Sequence, residues 1–404
     1  MYFGLSENQL FFQENVSRFL EDHASLDVIK KITEGEGQNL QKEINSGLVN
    51  LGINGLLVPK EYGGLDLDLL FAAAVSQSLG ENVAPFSFLG PYVMAPIALS
   101  HGSSNEQKRK YLSDIAENKI KFAIGFTEFI AARNGSGVTF KNNKVNGRLM
   151  FVLDIEGATH LLLADESGCI GIVDLADKNI EIVKLTTVDK TRSYSEVILD
   201  DVSVDLLEKS LKDNFVINKT IDAGRIILAA DSLGASSALI SKAVEYSKER
   251  KQFGRTIGSF QAVKHMCAEM AADSLGASST LISKAVEYSK ERRQFGRTIG
   301  SFQAVKHMCA EMAADLEPCY AFVWHAAHCF DNIPDESRLM SCHVKSHVSD
   351  VSKVIAKKAT EVHGGMGFTD LMGIHYWFKR IGVNRQNLGP PEIVREEAAK
   401  IQNL

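Results

Sequence analysis

An arginine beside a glycine turn at a helix end can hold a pyrophosphate through charge-assisted hydrogen bonds. This chain carries such a phrase twice. Arg-x-Gln-Phe-Gly-Arg-Thr-Ile-Gly-Ser-Phe-Gln runs from Arg250 to Gln261 and again from Arg292 to Gln303. The bland alternative is a solvated arginine at an ordinary helix-connecting turn. Each phrase lies inside a longer repeat: Ala229–Met270 recurs at Ala271–Met312, a period of 42 residues. Two positions differ, Ala238 against Thr280 and Lys251 against Arg293. A second candidate is Gly364-Gly365. Glycine lacks a Cβ, so the chain can pass close to a phosphate there. No strand precedes the pair, so it is not a dinucleotide fingerprint, and it also reads as a helix C-cap followed by a turn.

The elements that position these phrases fall into three blocks. Residues 1–119 read as mainly helical. Ser6-Glu7-Asn8-Gln9 has the pattern of an N-cap and first turn, and Leu10, Phe11, Val16, Phe19 and Leu20 follow at roughly helical spacing. Pro59–Gly64 breaks the pattern as a turn. Leu69–Gly80 reads as a buried helix and Ser104–Ala116 as a short amphipathic one. Residues 120–208 change to short β-prone runs at His160–Ala164, Cys169–Asp174, Ile180–Leu185 and Ser195–Leu199. Residues 209–404 return to helix, with one helix over Ser341–Val362 ended by His363-Gly364-Gly365. The expected fold is α+β multidomain: a helical N-domain, a small middle antiparallel β domain, and a C-terminal helical bundle carrying the tandem duplication.

The repeat poses a problem of direction. Ser259–Arg293 contains no proline and a single glycine, Gly276. As one helix it would be about 50 Å long, and every later helix would run the wrong way through the bundle. A break near Asp273-Ser274, where a cap is plausible, would add two antiparallel helices and keep the direction.

Composition excludes several function classes. Apolar residues at 45% and charged residues at 23% fit a globular protein, and a formal charge of −6 supplies no basic field for nucleic acid. Phe86–Leu99 is apolar, but Gly90, Pro91 and Pro96 interrupt it and it is short for a bilayer, so no membrane role is expected. Met1-Tyr2-Phe3-Gly4 lacks the basic start of a secretory signal. None of the six cysteines sits in C-x-x-C spacing, so neither a disulfide framework nor a metal site is expected. Reduced thiols in a cytoplasm are the plain reading.

Three phrases taken in order resemble the acyl-CoA dehydrogenase family. Leu51–Gly64 (Leu-Gly-Ile-Asn-Gly-Leu-Leu-Val-Pro-Lys-Glu-Tyr-Gly-Gly) is similar to its N-domain phrase. The Arg-x-x-Phe-Gly…Phe-Gln phrase and Val362–Thr369 are similar to its two C-domain signatures. The resemblance implies that the middle domain is an antiparallel β-barrel, with FAD bound between the barrel and the C-terminal helices of a tetramer, an acyl-CoA substrate, and an electron-transfer flavoprotein as partner. It implies cofactor contacts from Arg250, Gln252, Phe253 and Gln261, with Arg292, Gln294, Phe295 and Gln303 as their second-copy equivalents. It also implies contacts from Gly364 and Gly365 to phosphate, and from Thr127, Phe151 and Leu153 to the flavin. Two departures stand out. Leu153 occupies a position that often carries a threonine hydroxyl, and Glu361 one that usually carries glutamine; for Phe151 and Leu153, simple core packing stays open.

The family's chemistry needs a carboxylate to take the α-proton of a thioester, its pKa raised by burial. The resemblance puts that carboxylate at one of two places, which here fall on Gly389 and near Gly224. Asp222 and Glu392 are the nearest carboxylates in sequence, and each reads more readily as a surface residue. Three readings therefore remain: a flavoenzyme with a displaced base, a non-catalytic FAD-binding partner subunit of a heteromeric enzyme, or an inactive duplicated product.

Overall fold

The computed structural model describes residues 4–126, 137–249, 251–252, 255–256 and 300–403. Its first block is helical: α1 (Glu7–His23), α2 (Leu26–Glu34), α3 (Gln38–Asn50), α4 (Leu69–Glu81), α5 (Ala95–Gly102) and α6 (Asn105–Ala116). Local chemistry sets the starts. Ser6 and Ser104 each close a capping box with a glutamine three residues on, Gln9 and Gln107, and Asp68 caps α4 through the Phe71 amide. The Pro59–Gly64 turn is a short 3-10 helix, Lys60–Tyr62, stopped by left-handed Gly63.

The middle block is a sheet of eight strands: β1 (Phe122–Gly125), β2 (Gly137–Lys141), β3 (Lys144–Leu153), β4 (His160–Ala164), β5 (Ile170–Asp174), β6 (Ile180–Leu185), β7 (Tyr194–Ser203) and β8 (Asp205–Leu206). The strand order is β6-β7-β3-β1-β4-β5-β8, with β2 on β3. This corrects the expected antiparallel barrel in two ways. Among the described residues the sheet is open, because β6 and β8 end it without pairing to each other. It is also mixed. The β2–β3 hairpin intervenes between β1 and β4, so β4 arrives parallel to β1, with Phe122 opposite His160. Side chains alternate between two cores. Phe122, Ile124, Leu162 and Ala164 join the main helical core, while Ala123, Leu161 and Leu163 form a separate core on the other face. Burial on both faces explains why β1 and β4 read as continuous apolar runs.

The third block contains α7 (Phe215–Glu249), a two-residue ladder pairing β9 (Lys251–Gln252) with β10 (Arg255–Thr256), then α8 (Gly300–Asn332), α9 (Pro334–His363), α10 (Ile374–Gln386) and α11 (Pro391–Ile401). The direction of these helices follows from their contacts. Lys219 near the start of α7 donates to the Phe330 carbonyl near the end of α8, so those two run antiparallel. Ser341 near the start of α9 donates to Asp222 near the start of α7, and Tyr246 stacks on His363 at their far ends, so α7 and α9 run parallel. The later helices are therefore not reversed by the repeat. The bundle takes Ala229–Glu249 of α7 from the first copy and Gly300–Met312 of α8 from the second. The proposed break at Asp273-Ser274 lies outside the described residues. An apolar window within Phe215–Tyr246 is long enough to cross a bilayer, but 78% of it is buried by the protein, and α7 is the central core helix.

Candidate functional site

The far ends of α7 and α9 converge with the start of α10. The Tyr246 and His363 rings stack with centroids 4.5 Å apart, and Lys242 lies over the Trp377 ring at 4.6 Å. Trp377 in turn donates its indole N–H to the Glu81 carbonyl at 2.8 Å, fixing α10 to the N-terminal helices. From this junction α7 ends at Glu249, the residue before Arg250 in sequence, and α9 ends at the glycine pair. Gly364 has φ 58 and ψ −141, and a Cβ built on either Gly364 or Gly365 would meet nothing within 4 Å. The loop therefore offers a turn with open space above it, which is what close approach to a phosphate requires. Glu361 sits one turn earlier, half-exposed and 3.9 Å from Lys357, so its charge is partly offset.

Sequence reasoning put the remaining cofactor contacts in several places. Arg250, Phe253, Gln261, Arg292, Gln294, Phe295 and Thr127 lie outside the described residues, and for Gln252 and Gln303 the backbone alone is described. Phe151 and Leu153 part company. A register irregularity between Leu149 and Val152 puts Phe151 at φ 56 with 41% exposure. Leu153 instead pairs with Ile124 and Tyr194 and packs into the main core, 6% exposed.

The two places to which the resemblance assigns a base, Gly389 and the neighbourhood of Gly224, are brought together, and the space at Gly224 is filled. An ideal Cβ on Gly224 would lie 2.3 Å from Leu388 Cδ1 and 3.1 Å from Met94 Sδ. Gly389, the next residue after Leu388, has φ 99, where an L side chain is strained. The loop between α10 and α11 is pinned in this pose from two sides. Arg225 donates to the Leu388 carbonyl at 2.9 Å, and Asn387 donates to the Tyr194 hydroxyl at 2.7 Å.

The nearby carboxylates need a correction. Asp222 is not at the surface: it is 3% exposed. Burial pushes its pKa up to about 6, against Arg338 at 3.5 Å and the Ser341 hydroxyl, which donates at 2.6 Å. Arg338 also pairs with Glu397, and Glu397 accepts from Arg225 at 2.8 Å. Asp222 is thus committed to a network joining α7, α9 and α11. Residues two apart on a helix do not share a face, so it does not reach the position of a Gly224 side chain. Glu392 is the reverse case: an exposed first-turn residue of α11. Its own backbone amide and Arg385, 2.5 Å away, hold its pKa below the usual carboxylate value. Neither residue has the raised, open setting of a general base.

Sequence reading missed the most buried charge cluster. Asp231 accepts from Arg380 Nε and Nη2 at 2.9 and 2.7 Å, from Arg192 at 2.8 Å and from Asn384 at 2.6 Å. Arg380 also donates to the Ala84 carbonyl. Burial alone would raise the Asp231 pKa, but Arg380 and Arg192 overcome it and hold the carboxyl at about 2. Arg192 comes from the loop before β7 in the middle block, Asp231 and Arg380 from α7 and α10 in the third, and the Ala84 carbonyl from the first, so this cluster ties all three blocks together. A signal was present: Asp231 is the sole charge between Arg225 and Lys242.

Comparison with known proteins bears directly on this arrangement. The acyl-CoA dehydrogenase N-terminal domain matches residues 6–119, and its C-terminal domain matches residues 215–281 and again 270–402. The chain belongs to the acyl-CoA dehydrogenase family. The second C-terminal match begins where the second copy begins, at residue 270 against Ala271. Among relatives, the chain is similar to subunit CarC of the caffeyl-CoA reductase–Etf complex of Acetobacterium woodii. The identity is 26% over 392 residues, 91% of this chain and 90% of that one. It is also similar to the acyl-CoA dehydrogenase IpdE2 of Mycolicibacterium smegmatis, with 25% identity over 98% of this chain and 99% of that one. In fold it matches butyryl-CoA dehydrogenase of Megasphaera elsdenii at TM-score 0.77, with 20% identity and full coverage of both chains. An FAD complex of PigA matches at TM-score 0.78, with 18% identity and full coverage of both chains. This acyl-CoA dehydrogenase-like flavoprotein holds glycine at Gly389 and Gly224, on and near the two places to which the resemblance assigns a carboxylate.

Proposed function

We propose that this chain is a non-catalytic, FAD-binding partner subunit of a heteromeric acyl-CoA dehydrogenase that works in a cytoplasm. The observation that carries this reading is the closed base site. Gly224 is covered by Leu388 and Met94, Gly389 is left-handed, and Asp222 is spent on Arg338 and Ser341. The open loop at Gly364 and Gly365 fits the phosphate end of FAD, and Phe151 is exposed enough to meet an isoalloxazine ring. When bound, FAD supplies hydride acceptance. This chain's own residues would hold and orient it: the glycine loop by backbone approach, and the Arg250 phrase by charge.

The base would come from a related chain in the same tetramer. That a relative is named as part of an Etf complex supports an electron-transfer flavoprotein as the assembly's redox partner, with an acyl-CoA as substrate. Purified alone, the chain is expected to show little flavin absorbance and no oxidation of acyl-CoA. Mixed with a base-bearing homologue, it is expected to enter a heterotetramer with bound flavin. Turnover by the isolated chain at full flavin occupancy would defeat the proposal and restore the reading of a dehydrogenase with a displaced base.

A further inference from the structure

The reversal between α8 and α9 brings together three side chains that the flavin site does not use. His325 and Cys329 stand four residues apart on α8, so both face the same side of the helix. Cys329 Sγ is 3.5 Å from His325 Nε2. In a tetrahedral zinc site with Zn–S near 2.3 Å and Zn–N near 2.0–2.1 Å, the S···N edge is about 3.6 Å. Only Ile333 separates α8 from α9, and this tight connection swings Glu336, in the first turn of α9, over the pair. The three ligand atoms lie within 4.8 Å of one another. A thiol–imidazole hydrogen bond accounts for two of these residues. It gives no reason for a carboxylate to stand within reach of both.

We propose that His325, Cys329 and Glu336 form a binding site for a zinc-class divalent cation that clasps α8 to α9. The donor set of one imidazole nitrogen, one thiolate and one carboxylate suits a borderline metal and is a poor match for calcium or magnesium, which take oxygen ligands. Thiolate and carboxylate together balance a charge of two. Cys329 is buried, His325 half-buried and Glu336 exposed, so the site opens to solvent on the carboxylate side. Water completes the fourth position there. The site is separate from the flavin loop: from Glu336 to His363 is about 40 Å along α9. A search for C-x-x-C spacing passes over it, because the pair is His-x-x-x-Cys and the third ligand comes from the next helix.

The test is titration of the full chain with Co2+, which reports a bound thiolate by a sulfur-to-cobalt charge-transfer band. One Co2+ per chain with that band, displaced by Zn2+, is the expected result. Cys329→Ser removes the band, and Glu336→Gln keeps it but weakens Zn2+ binding about tenfold or more. Zn2+ raises the Tm of the unaltered chain and leaves that of Cys329→Ser unchanged. Glu336 is exposed, so its variant is expected to keep the far-ultraviolet circular dichroism of the parent. Absence of a thiolate band, persistence of the band in Cys329→Ser, or unaltered Zn2+ affinity in Glu336→Gln would each overturn the site. None of these outcomes bears on flavin content, which is measured on the same samples by its visible absorbance.

Discussion

Asp231→Asn is expected to lower stability at pH 7 by about 3–5 kcal/mol, the range for breaking a buried ion pair from one side. The substitution keeps shape and removes charge. Asp231 accepts from four donor atoms, three of them on guanidinium groups that are themselves buried, Arg380 and Arg192. An asparagine presents one oxygen and one N–H2 group, so at least one guanidinium N–H would face a donor. A second route gives a similar size. Holding the carboxyl at about 2 rather than its ordinary 3.8 corresponds to roughly 2–3 kcal/mol of stability. The larger figure is the better guide, because a protonated acid could still accept where the amide nitrogen cannot. Since the folded pKa is depressed, this contribution is fully present above about pH 4 and is lost as pH falls towards 2. Urea unfolding followed by circular dichroism, with and without Asp231→Asn, measures it. A loss under about 1 kcal/mol would refute the argument that this cluster bolts the three blocks together.

Three other expectations follow from the same geometry. Asp222 titrates in the opposite sense: its folded pKa of about 6 is raised, so its contribution is present below about pH 4 and lost as pH rises through 6. Asp222→Asn should flatten the fall in urea-unfolding stability between about pH 4 and pH 6, and an unchanged slope would reject the buried assignment. Gly224→Ala should cost about 1–3 kcal/mol by overpacking against Leu388 and Met94, read as a lower urea midpoint; a neutral result would show that the closed base site yields easily. A chain lacking Ala271–Met312 should fold at least as stably as the parent by thermal melt, because Gly258–Met270 supplies the same letters as Gly300–Met312. A large fall in Tm would show that the second copy is integral to the bundle.

Much of this fold could be read locally. Capping boxes at Ser6 and Ser104 and the apolar run of α4 announce their helices from a few neighbouring residues. So do β4 and β6, whose ends match the sequence expectation. What escaped was non-local. The parallel pairing of β1 with β4 depends on where the β2–β3 hairpin sits, which no single strand encodes. β1 itself is four residues with no alternation, a pattern that a buried helix turn shares. Asp222 looked like a surface carboxylate because its partners, Arg338 and Ser341, lie more than a hundred residues away. The glycines at 224 and 389 could be found by counting, but the plug over them could not. It depends on Leu388 crossing to α7 from another helix connection.

The antiparallel pairing of α7 and α8 has a consequence for how this protein could have changed over time. Both ends of the intervening connection leave from and return to one end of the bundle. Such a junction is a permissive graft point: whatever is spliced there need only come back to where it started. In chain-closure terms, extending that connection from 8 residues, were Gly258 to open the second helix, to the present 50 costs under about 2 kcal/mol. A copying accident at this seam would therefore survive selection for folding, whereas the same 42 residues inserted within α9 would break the register of every contact that follows.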